Sequence, residues 1–234
     1  MKQVLRVGAA VLFVASLALC QNALLDHQDQ TRTDATGEEE SHHVFGIIPN
    51  YRTSPSLTDY RPLTAAEKFK VAGEDAWDRG TFALGIIVGA QHQLNNSNRA
   101  FGQGAEGFGR YAGASYGDFV IGNYMTEAVF PTLLHQDPRY FRKGTGSGWS
   151  RLKYALVQSF VTHGDSGRMQ FNYSEWLGNS AAVAISNAYY ADNRNVHDAV
   201  SGLGMQVGFD TAANVLKEFY PDFERIFRPG RNAR

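Results

Sequence analysis

The chain has 234 residues, 43% of them hydrophobic and 19% charged, enough apolar material for a folded core and too much for bulk disorder. Lys plus Arg number 22 against 23 Asp plus Glu, a formal net charge of -1, so the electrostatic footprint of a nucleic-acid binder is missing from the chain as a whole.

Lys2 and Arg6 precede an apolar run from Val7 to Leu19, and Gln21 and Asn22 follow it. This is the three-part form of a secretory signal peptide, assigned to residues 1–20. The run is shorter than the roughly 20 residues of a bilayer span. Cleavage before Gln21 is the expected processing, with a cut after Ala23 as the alternative. Leu17-Ala18-Leu19-Cys20 also has the outline of a lipoprotein signal, with Leu19 where such a site uses a small residue. Cys20 is the one cysteine, so its removal leaves no disulfide and no thiolate ligand. The expected location is the periplasm or the outer-membrane periphery of a bacterium. Residues 21–44 carry six acids against Arg32 and read as a disordered acidic linker, with His42 and His43 as part of it rather than as metal ligands.

The helical domain is assigned to residues 45–234. Pro49, Pro55 and Pro62 keep its first segment extended. Thr64-Ala65-Ala66-Glu67 has the capping-box form and opens a helix expected from Ala65 to about Asp78, ending near Gly80. Further helices are expected over Phe82 to Leu94, Gln103 to Leu134, Trp149 to Val161, Tyr173 to Tyr189 and Val196 to Phe219. Pro131 kinks or ends the second of these and Pro221 stops the last. Small residues recur at a spacing of four: Gly85 and Gly89; Ala105, Gly109, Gly113 and Gly117; Gly178, Ala182 and Ser186; Gly204, Gly208 and Ala212. Each glycine costs a helix on the order of 1 kcal/mol relative to alanine, which close backbone approach would offset. The fold class implied is all-α, a compact bundle with Gly/Ala-rich close-packed faces. A leucine at 113 is expected to force two helices apart.

Leu134-His135-Gln136-Asp137-Pro138-Arg139-Tyr140-Phe141-Arg142 is the densest polar segment. With Gly107-Phe108-Gly109-Arg110-Tyr111, Asp165-Ser166-Gly167, Phe171-Asn172-Tyr173-Ser174-Glu175 and Leu216-Lys217-Glu218-Phe219, it resembles a family of uncharacterised exported bacterial proteins that carries these landmarks in the same order. The resemblance spans most of Phe101 to Asp222. It implies export and a shared fold, and no functional residue.

The residues themselves offer two chemistries. His135-x-Asp137 recurs as His163-x-Asp165, and the two pairs, with Glu127 or Glu175, are candidate ligands of a hard or borderline metal. Against this, Asp137 before Pro138 is a turn former, with His135 capping a helix end. Gly164-Asp165-Ser166-Gly167 resembles the nucleophile loop of chymotrypsin-like proteases, with Arg168 where that loop continues with glycine. Ser166 with His135 or His163 is therefore a serine-hydrolase candidate, and otherwise a polar turn. Asn172, Glu175 and Asn179, and Asp210, Asn214, Lys217 and Glu218, fall at helical spacings; if buried they need partners such as Arg110, Arg139 or Arg168. Glu175, in a first helical turn, is expected to pair with Arg168 or Arg139.

Two functions follow. One is an exported cell-envelope scaffold with a protein partner, a second copy or peripheral membrane contact, the last suggested by a tail holding Arg225, Arg228, Arg231 and Arg234. The other is a periplasmic hydrolase, with or without a metal, using His135, Asp137, His163, Asp165, Ser166 or Glu175. Convergence of these side chains in a concave pocket favours the hydrolase; capture by separate cations favours the scaffold. The residues name no cofactor.

Overall fold

The computed structural model describes the backbone of residues 43–44, 48–49 and 53–54 and residues 60–190 and 196–227, the last with side chains to 223. The signal peptide, Cys20, the acidic linker to His42 and residues 228–234 of the basic tail lie outside the described residues. Within them the fold is all-α. Its helices are α1 (Ala65–Ala76), α2 (Arg79–Leu94), α3 (Gly104–Asn123), the short α4 (Phe130–Leu133), α5 (Gly148–Val157), α6 (Tyr173–Tyr189) and α7 (Val196–Phe227). No described helix is long and apolar enough to cross a membrane.

Local chemistry sets several boundaries. Thr64 Oγ1 accepts from the Glu67 amide while Glu67 Oε2 accepts from the Thr64 amide at 2.8 Å, so the capping box at the start of α1 is closed as the sequence predicts. Asp78 caps α2 by accepting from the Gly80 amide at 2.6 Å. Gly80 is thus part of a helical first turn rather than a stop. Asn172 accepts from the Glu175 amide and starts α6, whose span is the one expected. Between α3 and α4 the backbone widens into a π-turn at Tyr124–Val129. Pro131, without an amide hydrogen, follows directly and α4 ends at Leu133.

Three expectations need correction. Trp149 to Val161 is not one helix, because α5 ends at Val157 and the chain turns into an antiparallel hairpin, β5 (Val161–His163) with β6 (Met169–Phe171). The other strands are two-residue pairings, β1 (His43–Val44) with β2 (Ile48–Pro49), and β3 (Thr53–Ser54) parallel to β4 (Tyr140–Phe141). Pro221 does not stop α7, which runs through it to Phe227. Arg151 explains this by gripping Glu218 and Asp222, one turn apart on either side of the proline.

The third correction concerns the glycine rows. A Cβ at Gly89 would lie 2.5 Å from Ala112 Cα, one at Gly85 would lie 2.8 Å from Tyr116 Cβ, and one at Gly178 would lie 2.9 Å from Thr126 Cγ2. These glycines bring α2 against α3 and α6 against the π-turn. By contrast, Gly109, Gly113 and Gly117 have nothing within 4 Å of an added Cβ, nor do Gly204 and Gly208. The longest row points away from the bundle, since α3 meets α2 through the edge that carries Ala112 and Tyr116.

Among the described residues, what these helices enclose is short of large apolar side chains. The buried hydrophobic residues are mainly alanines and tyrosines, including Ala72, Ala76, Tyr111, Ala128 and Tyr140, whereas Lys68, Gln136, Asp137, Arg151, Asn179 and Glu218 are all buried beside them. Such an interior depends on hydrogen-bond partners being in place.

Candidate functional site

The two His-x-Asp segments pair with each other. Gln136 and Gly164 form an antiparallel bridge; the Asp137 amide donates to the His163 carbonyl at 2.8 Å and the Asp165 amide to the His135 carbonyl at 2.9 Å. The repeat in the sequence is thus a two-sided backbone contact. His135 sits at φ 52° immediately after α4, and the next amide, that of Gln136, donates back to the Pro131 carbonyl at 2.9 Å. This is a Schellman-type helix end with histidine in the left-handed position usually held by glycine. Its ring is exposed, with Nδ1 3.8 Å from Asp165 Oδ2.

Both aspartates are held by cations, Asp165 by one from α1 and Asp137 by one two residues along its own segment. Lys68, buried on α1, donates through Nζ to Asp165 Oδ1 and Oδ2 at 2.8 and 2.9 Å and to the Pro131 carbonyl at 3.2 Å. Arg139 grips Asp137 through Nε at 2.9 Å and through Nη2 at 2.7 Å, and reaches the Arg61 carbonyl. The Asp137 carboxylate is fully buried, which a bidentate guanidinium makes tolerable. His163 is buried edge-on against Phe141, with ring centres 5.0 Å apart. Burial lowers its pKa, opposed by the nearby Asp137 charge. Ser166 is exposed in the β5–β6 turn, where the Gly167 amide donates to the Gly164 carbonyl at 2.8 Å. Among the described residues no group of three or more His, Cys, Asp or Glu side chains is arranged to hold a metal ion.

Gln136, between the first His and Asp, locks the hairpin onto α6. Its Nε2 donates to the Phe171 carbonyl at 2.7 Å, and its Oε1 accepts from both the amide and the hydroxyl of Ser174 at 2.7 Å. Glu175 accepts from Asn179 Nδ2 at 3.1 Å, and the same amide nitrogen reaches Asp210 on α7. Of the two arginines expected to pair with Glu175, Arg139 is committed to Asp137 and Arg168 is exposed in the hairpin turn. Asp137, Arg139, Gln158, Asn172, Glu175 and Asp210 line a cavity of about 30 Å³, room for about one water molecule. Gln158 Nε2 has no acceptor among the described residues.

A second polar centre was not foreseen. Glu218 on α7, fully buried, accepts from Tyr140 Oη at 2.7 Å, the Lys143 and Gly144 amides at 2.9 Å each, and Arg151 Nε at 2.9 Å. Arg151 also donates to Asp222 and to the Glu218 carbonyl, and its guanidinium lies 4.5 Å from the Phe219 ring centre. Burial and the Glu218 carboxylate together raise the Tyr140 pKa. The helical spacing of Asn214, Lys217 and Glu218 announced a buried face, but the arginine that serves it was not among those expected. Arg110 instead pairs with exposed Glu106 on its own helix. A third cluster joins Asp118 to the hydroxyls of Tyr189 and Tyr190. Nearby, Ser115 Oγ lies 3.4 Å from His92 Nδ1. Ser115 is only 1% exposed, so the pair presents no nucleophile to a substrate.

Comparison with protein-family models, with curated proteins and with solved structures returns no match.

Proposed function

We propose that the chain is an exported cell-envelope protein whose helical body is a non-catalytic scaffold for interaction. The observation that carries this reading is the fate of the candidate catalytic acids. Asp165 is held by Lys68 and Asp137 by Arg139, and the cavity next to Asp137 and Glu175 is of one-water size, far below the roughly 300 Å³ at which ligand pockets begin. Large apolar side chains including Trp77, Leu94, Leu133 and Trp149 stand exposed on several faces, which suits a protein with a partner surface better than a solitary enzyme. The signal-peptide pattern and the resemblance to exported bacterial proteins support placement in the envelope.

The test is Glu175→Gln beside the unchanged protein, with thermal melts, metal content by elemental analysis and hydrolysis of ester and peptide substrates measured on both. The scaffold reading expects no stoichiometric metal, no turnover and a lowered melting temperature in the variant, because Glu175 is a buried member of the Asn179–Asp210 network. A variant as stable as the parent that has lost a bound metal or a hydrolytic activity would establish the hydrolase instead.

A further inference from the structure

We infer that the outward face of α5 and the adjoining β5–β6 hairpin is a membrane-docking face for an anionic bilayer surface; this rests on the envelope reading above and names the partner. The argument begins with an inversion. On α5 the polar residues Arg151 and Gln158 and the small Ala155 are buried, whereas Trp149, Leu156 and Val157, at spacings of seven and eight, are exposed at 63%, 41% and 48%. The Glu218–Asp222 clamp on Arg151 fixes this rotation. The apolar stripe therefore cannot roll inward.

The stripe is continued by Phe160, three residues beyond the end of α5, whose carbonyl accepts from the Asn172 amide at 2.9 Å. That bond places Phe160 opposite Asn172, with its ring centre 5.4 Å from that of Trp176 on α6. Phe171 and Tyr173, in edge contact at 5.0 Å between ring centres and 44% and 52% exposed, add exposed aromatics where the adjoining hairpin runs into α6. Tryptophan, tyrosine and phenylalanine with aliphatic neighbours are the residues that settle at the headgroup boundary.

Charge selects the occupant. From Arg142 to Tyr173 there are five Lys and Arg residues and one acid, Asp165, and that acid is paired with Lys68 from α1. Of the five cations Arg151 is buried and paired with Glu218 and Asp222, and the exposed ones, Lys143, Lys153 and Arg168, form the rim. Lys153 is exposed with its Nζ 5.2 Å from the Trp149 ring centre, Lys143 is exposed at the start of α5, and Arg168 is exposed at the hairpin turn. A basic rim around an apolar stripe matches an anionic lipid surface. A two-fold pairing of two copies through the same face would bring together two rims of the same net charge. Another exposed apolar patch, Phe69, Trp77 and Phe82 on α1 and α2, lies among charges of both signs, such as the Lys70–Glu74 pair, and carries no such preference.

The experiment uses the full chain with vesicles of phosphatidylglycerol and phosphatidylethanolamine, and with phosphatidylcholine vesicles for comparison. The apolar run near residue 10 is common to every protein compared, so differences between variants report the face. Leu156→Gln/Phe160→Gln is expected to lower partitioning onto the anionic vesicles at least tenfold, and Lys153→Glu/Arg168→Glu to lower it severalfold. Both pairs are exposed, and circular dichroism confirms folding. Brominated phosphatidylglycerol is expected to quench tryptophan fluorescence in the parent and to quench it less in Trp149→Phe. Equal partitioning of parent and variants, equal binding to phosphatidylcholine, or self-association in sedimentation velocity that Leu156→Gln/Phe160→Gln abolishes would each overturn the proposal. A metal or hydrolytic activity lost in Glu175→Gln would sink the scaffold reading without touching these vesicle results, so the two failures are told apart.

Discussion

Gly89 and Gly113 present the same residue type on adjacent helices, and the structure assigns them opposite responses to the same substitution. An alanine Cβ at 89 would stand 2.5 Å from Ala112 Cα and 2.6 Å from Ala112 N, short of ordinary contact by about 0.9 Å. Both opposing atoms are backbone, so no rotamer change relieves the clash and α2 must separate from α3. Overpacking costs about 1 to 3 kcal/mol, and rigid atoms on both sides place Gly89→Ala at the upper end. The gain of about 1 kcal/mol in helix propensity offsets part of this. A net loss of about 2 kcal/mol remains. At Gly113 nothing lies within 4 Å, so Gly113→Ala keeps the propensity gain and stabilises by about 0.4 to 1 kcal/mol. Urea unfolding followed by circular dichroism reads both. With a slope of about 2 kcal/mol per molar urea, the two midpoints should differ by more than about 1 M. A lowered midpoint for Gly113→Ala together with an unchanged one for Gly89→Ala would refute the assignment of which row is the contact.

Glu218→Gln leaves the buried Arg151 with Asp222 as its remaining carboxylate and is expected to cost up to about 3 kcal/mol in the same urea assay; a loss under about 1 kcal/mol would show that the clamp is dispensable. His163 is held below its ordinary 6.5 by burial, so the unfolded chain takes up the proton first and stability falls as pH drops below about 6.5. Melting temperatures of His163→Phe should accordingly vary less than the parent's between pH 7 and pH 5, and an identical pH dependence would contradict the burial argument. Glu67 is pulled down to about 2 by hydrogen bonds from Arg61 and from Thr64. Its contribution is therefore present above its ordinary 4.5 and is lost as pH falls from there towards 2. The difference in melting temperature between parent and Glu67→Gln should be largest near pH 6 and vanish near pH 2; a constant difference would mean that the charge is irrelevant to the cap.

The features that the sequence by itself determined are those decided within a few residues. The Thr64–Glu67 box, the run from Tyr173 to Tyr189 and the helix end at Leu134 depend on caps, propensity and one proline, all of which act across a single turn. The all-α class follows from the continuity of such stretches. The β5–β6 hairpin was hidden because Phe160 and Val161 continue the apolar pattern of α5, and only pairing with Met169–Phe171 and the lock of Gln136 onto Phe171 and Ser174 selects strand. Helix-compatible spacing likewise cannot distinguish the glycines of Gly85 and Gly89, which meet a neighbour, from those of Gly109, Gly113 and Gly117, which do not; every residue on a helix faces something, and what it faces is set by another helix. The same limit applied to charge. Two His-x-Asp motifs looked like a ligand set because their chemistry is local, while the cations that occupy the aspartates come from Lys68, 97 residues away, and from Arg139, folded back across a turn. A buried carboxylate becomes a structural tie or a reactive group according to the partner within about 3 Å of it. For Asp165 and Glu218 that partner was selected by the packing of α1, α5 and α7, which only the tertiary structure decided.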